Sequence, residues 1–140
     1  MTHITAALRR LVVARASNHC EYCGLAQDGQ VATFHIDHVM PVAAGGATSE
    51  DNLALACVSC SLRKGARQAA IDFVSGEEVP LFNPRNDDWH VHFYWDDLYL
   101  VGRTPTGRAT VVALAMNRTG ILMIRGEEAD RGRHPYPARR

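Results

Sequence analysis

Two C-x-x-C pairs, Cys20/Cys23 in CEYC and Cys57/Cys60 in CVSC, constrain this chain more than any other feature. Two thiolates on one tight turn bite a single tetrahedral ion, and two such pairs complete a zinc site with no open position. The pairs are separated by 33 residues, 24 to 56, longer than in a short zinc ribbon. That gap leaves room for a strand and a loop between the knuckles. Free buried thiols and a thioredoxin-like redox pair are the other readings of C-x-x-C, and neither accounts for two pairs. A zinc held by Cys20, Cys23, Cys57 and Cys60 builds structure and leaves the chemistry to other groups.

A chain of 140 residues suits one domain, read here as 1–140, with a core at about 17–73 and a C-terminal extension over 75–140. Hydrophobic content of 46% against 21% charged excludes a disordered tail-like protein. The formal net charge is zero, so no global field advertises a nucleic-acid partner, although a local basic face still can bind one. No apolar stretch is long enough to span a bilayer, and the N-terminal MTHITAALRRLVVARAS has arginines where a signal peptide is apolar. The expectation is a cytoplasmic protein with no membrane partner, whose reduced thiols favour metal over disulfides.

Residues 4–16 read as a helix, with Leu8, Leu11, Val12 and Ala16 at helical spacing, and its expected role is a strut on the core. Residues 31–37 read as a strand, and Pro41 with Gly45-Gly46 makes 39–52 an irregular loop. Residues 58–73 read as a helix with Leu62, Ala66, Ala69 and Phe73 as its apolar stripe. Arg63, Lys64 and Arg67 fall on an adjacent face with no acid between Asn52 and Ile71, a local cationic surface. Further on, 91–101 reads as a hairpin around Asp96-Asp97. Thr106 caps a helix over 107–117, another helix covers 119–131, and RGRHPYPARR reads as a loosely held tail. The fold class is thus α+β.

Asp37 and His38 stand between the cysteine pairs. Consecutive strand residues point to opposite faces, so both reach one site only where the strand ends or bends, as Pro41 invites. A carboxylate is a hard ligand suited to magnesium or manganese, and a neutral imidazole takes a proton from water near neutral pH. Together they are the parts of a metal-assisted phosphodiester hydrolysis. An Asp-His pair alone is commonly a surface feature, and its place between the knuckles is what raises it. Asn52, just before the apolar LALAC, is either a turn residue or an amide that pins the loop after His38.

CEYCG, IDHVMP, the Gly pair, DNL and a C-x-x-C followed by LRKG resemble the HNH endonucleases of the ββα-metal fold. More narrowly, LACVSCSLRKGARQ, VPLFNPR, TPTGRATV, AMNR and RGRHP make nearly the whole chain similar to small stand-alone bacterial HNH proteins. The resemblance implies a zinc-stapled ββα core with an N-terminal helix and a C-terminal hairpin plus helices. It implies His38 as general base, Asn52 as the motif's middle residue holding the site, and Asp37 as ligand to a catalytic divalent metal. DNA is the implied substrate, its backbone meeting Arg63, Lys64 and Arg67 with little base readout. One departure stands out: the motif's third position, usually His or Asn, is Ser61. Serine is a weaker ligand there or a helix cap, and the metal then rests on Asp37 with water or draws on His35 of the same strand face. His92 is a further candidate contributor.

Two rivals belong to other classes. A zinc-containing nucleic-acid-binding module that has lost catalysis takes Ser61 as the mark of the loss. A structural zinc domain that binds protein partners draws on the neutral net charge.

Overall fold

The computed structural model describes residues 3–137. Its architecture is α+β, with strands paired two by two. The helix α1 (Ala6–Arg15) is capped by Thr5, whose hydroxyl accepts from Leu8 N–H, and it buries Val12 against the core. The strands β1 (His35–His38) and β2 (Leu53–Ala56) pair antiparallel, with Asp37 opposite Ala54 and His38 opposite Leu53. Every residue of β2 is buried, so its apolar run sits between layers; Leu53 and Leu55 each contribute about 1.5–3 kcal/mol of burial. The helix α2 (Val58–Lys64) follows directly, which completes a β-β-α unit.

The expected helix over 58–73 is corrected to these seven residues. Gly65 takes φ 52 and ψ −129, a conformation open to glycine, and the chain turns out of the helix there. Residues Ala69–Ile71 form β3 instead, paired with β4 (Glu78–Pro80). The supposed stripe is no core face, because Leu62 and Phe73 are 69% and 68% exposed.

Beyond β4, α3 (Trp89–His92) leads into the expected hairpin, β5 (Phe93–Asp96) and β6 (Tyr99–Gly102). Asp97 accepts the positive φ of its two-residue turn, as Asp does more readily than most residues. The helix α4 (Pro105–Ala113) begins two residues before the expected place, because Thr104 and not Thr106 is its cap; the Thr104 hydroxyl accepts from Gly107 N–H. The helix α5 (Thr119–Asp130) carries a buried Arg125 that donates to the carbonyls of Leu98 and Met116 and lies 4.9 Å over the Trp95 ring.

The C-terminal residues are not loose as far as they are described. Arg133 pairs with Glu128, His134 bonds the Asp97 carbonyl, and Tyr136 stacks on His19 at 3.6 Å. Residues 138–140 of the expected tail lie outside the described residues. The extension is also part of the core: Phe82, Trp89 and Phe93 share one buried cluster with Tyr22, Leu53 and the cysteines. No helix among the described residues is long and apolar enough to cross a membrane.

Candidate active site and the cysteine centre

The four cysteines converge. Their sulfurs all lie within 4.8 Å of one another, on buried side chains. Four ligands about 2.3 Å from one tetrahedral ion stand about 3.8 Å apart. Cys23 Sγ and Cys57 Sγ are 3.8 Å apart, far beyond a disulfide bond and right for a shared ion. Each knuckle also turns a backbone N–H onto its first sulfur, Cys23 N to Cys20 Sγ at 3.5 Å and Cys60 N to Cys57 Sγ at 3.4 Å. The centre is therefore fit for a structural zinc.

The first knuckle is sewn to β2. Glu21 donates its N–H to the Leu55 carbonyl, and its carboxylate accepts from Leu55 N–H at 2.8 Å. This covers the strand edge that β1 leaves open. The neighbouring Tyr22 is 1% exposed and donates its hydroxyl to Asp37 Oδ2 at 2.7 Å. Burial, then the charge of Asp37, push the Tyr22 hydroxyl well above its ordinary range, so it stays a proton donor. Sequence reasoning missed Tyr22, whose one signal was its place inside the C-x-x-C turn.

The same oxygen of Asp37 takes a second partner, Lys64 Nζ at 3.2 Å, and Lys64 also donates to the His38 carbonyl at 3.0 Å. Lys64 is 2% exposed, which corrects its expected place on a solvent-facing cationic surface. Its stem runs inward from the last turn of α2 and its ammonium neutralises a buried carboxylate. Asp37 Oδ1 has no hydrogen bond among the described residues, and Asp37 lines an open cleft of about 630 Å³.

His38 lines that cleft too. Adjacent residues share one site because β1 ends at His38 and the chain turns at Met40-Pro41, as the sequence suggested. Its Nε2 lies 2.9 Å from Thr48 Oγ1, while Nδ1 has no hydrogen bond among the described residues. Asn52 sits beneath the loop: Oδ1 accepts from Met40 N–H, and Nδ2 donates to the carbonyls of Met40 and Ala47. Both ends of the 40–47 loop thus hang on one amide. Gly46 permits this closure, since a Cβ there would lie 1.8 Å from the Met40 carbonyl oxygen.

His35 and Ser61 complete the lining, with His35 Nδ1 2.8 Å from Ser61 Oγ. His92 is elsewhere: its Nδ1 is 2.6 Å from Thr104 Oγ1 and its ring lies edge-on to Phe82. Arg63 and Arg67 are exposed, Arg63 anchored on Ser59 Oγ and Arg67 on the carbonyls of Arg63 and Ala113.

No curated protein and no solved structure matches the chain. Residues 20–67 match the family model described as HNH endonuclease, a span that runs from the first zinc-type knuckle to Arg67. The cysteine centre, the β-β-α unit and the Asp37, His38 and Asn52 cluster all fall inside that HNH-like segment, which covers about a third of the chain.

Proposed function

We propose that the protein is a metal-dependent endonuclease that hydrolyses phosphodiester bonds in DNA, with His38 as general base. The observation that carries this reading is the orientation of His38 in the cleft it shares with Asp37: Thr48 engages Nε2, and Nδ1 has no hydrogen bond among the described residues. With the ring proton on Nε2, donated to Thr48, the lone pair is on Nδ1. That nitrogen accepts a proton from the water that attacks phosphorus. Asn52 keeps the loop, and with it Thr48 and the ring, in register.

A magnesium or manganese ion fits the donors at hand. Asp37, in the lining of the cleft, has one oxygen spent on Tyr22 and Lys64, and the other has no hydrogen bond among the described residues. His35 has Nδ1 on Ser61, which turns Nε2 into the available donor. Ser61, at the motif's third position, then acts as the orienter of His35 more than as a ligand itself. When bound, the ion supplies charge that stabilises the phosphate and the leaving oxygen. Arg63 and Arg67 meet the DNA backbone, and Lys64 works inside by holding Asp37. The extension from residue 75 belongs to the same domain in this reading, supported by the core that Phe82 and Trp89 share with Tyr22.

The test is plasmid nicking with magnesium, manganese or chelator, run beside His38→Ala. The variant is expected to keep fold and zinc and to lose roughly a hundredfold or more of the nicking rate. Equal cleavage by parent and variant, with contaminating nucleases excluded, refutes the assignment.

A second reading, an inactive nucleic-acid-binding module, is favoured by one observation. Outside the cysteine centre no three His, Cys, Asp or Glu donors converge among the described residues. It predicts salt-sensitive DNA binding with no nicking in any metal, which the same assay reads.

A further inference from the structure

The helix α1 lies outside the matched segment and had the look of a strut. Its inner face is one, with Val12, and Ala16 at its C-cap, buried against the core. Its other side is not idle. Arg9, on the helix, and Ile4, just before it, line the cleft that His35, Asp37 and His38 also line.

The charges in that cleft do not balance. Asp37 is the one carboxylate among its lining residues, and Lys64 already lies 3.2 Å from it. Arg9 is exposed, and among the described residues its guanidinium has neither an ion pair nor a hydrogen bond. The other arginines of α1 differ: Arg10 does not line the cleft, and Arg15 is tied to the Leu53 carbonyl. A chain of zero net charge thus holds, among the described residues, a guanidinium with no ion pair in the lining of the cleft that also holds the imidazole read as the base. A guanidinium offers paired, parallel donors that match the two non-bridging oxygens of a phosphodiester.

We propose that Arg9 is a substrate-binding residue that grips a backbone phosphate of the nucleic-acid strand lying in the cleft. The inference rests on the reading that this cleft takes nucleic acid. It makes α1 a functional wall of the site, contributed from outside the HNH segment.

Binding of a fluorescent DNA duplex across a salt series, in the non-cleaving His38→Ala background, tests it. Arg9→Gln is expected to bind roughly tenfold more weakly at low salt. It is also expected to flatten the slope of log K against log salt by about 0.9, one phosphate contact. Arg10→Gln, on the same exposed helix, is the control and should leave both values near the background's; Arg9→Lys should restore part of the slope. In otherwise native protein Arg9→Gln should raise KM more than it lowers kcat. An Arg9→Gln slope and affinity equal to the background's overturn the proposal, as does an equal loss in Arg10→Gln. If the parent nicks DNA and Arg9→Gln changes nothing, this inference alone fails. An Arg9-dependent slope without any nicking by the parent sinks the hydrolase reading and leaves Arg9 in place.

Discussion

The cysteine centre and the cleft share Tyr22 as a neighbour and are built on opposite terms. At the centre, four identical soft donors close on one another, none more than 3% exposed. In the cleft, the donors differ in kind and line an open space, and each is half engaged among the described residues. Asp37 has one oxygen anchored, His38 one nitrogen, His35 one nitrogen. A closed donor set suits an ion that holds a fold, and half-anchored groups suit the proposed substrate contact. A closed donor set is stable because nothing is left to bind, and half-anchored groups are aimed because one atom is fixed while the other is free.

The largest effect should come from opening the closed set. Cys60→Ser removes a thiolate from a centre that joins two segments far apart in sequence. Structural zinc sites of this type return about 10–16 kcal/mol of apparent binding energy to folding. Loss of stoichiometric zinc and of a cooperative melt is expected, measured by metal analysis and circular dichroism. A Cys60→Ser protein that melts with the parent would erase the contrast between centre and cleft.

A smaller effect should stay on the cleft side. Gly46→Ala drives a methyl into the Met40 carbonyl and crowds Asn52 Nδ2 at 2.9 Å. The loop must shift, at a cost of about 1–3 kcal/mol, and nicking should fall while zinc content holds. Parallel loss of zinc and activity would mean that the two regions are one cooperative unit.

The smallest expected effect lies on the link between them. Tyr22→Phe keeps the ring that packs against Phe82 and deletes only the hydroxyl on Asp37. Zinc and melting temperature should stay near the parent's, while nicking drops about 10- to 100-fold, as when an outer partner of a metal ligand is removed. Full activity in this variant would mean that Lys64 alone aims the carboxylate.

Much of this was legible in the residues. The cysteine spacing foretold the convergence of the four sulfurs, Pro41 foretold the break that lets Asp37 and His38 line one cleft, and the run 91–101 foretold the hairpin, which spans 93–102. Helix length was less legible. Leu62, Ala66, Ala69 and Phe73 have helical spacing, but Gly65 ends α2 and the later residues join a strand pair. Periodicity records where apolar residues fall and not whether a partner surface exists to cover them.

What the sequence determined by itself were local and pairwise matters: which sulfurs pair, where strands stop, which residue types offer chemistry. Only the tertiary structure decided which charges face inward. Lys64 reads as a surface cation between Arg63 and Gly65, yet it is buried because a carboxylate 27 positions earlier in the chain lies within its reach. Arg9 stays exposed on α1, and the fold sets it in the lining of the cleft that also holds Asp37 and His38. The physical reason is the same in both cases: a charged side chain takes its role from groups distant in sequence, and the folded chain alone brings them near.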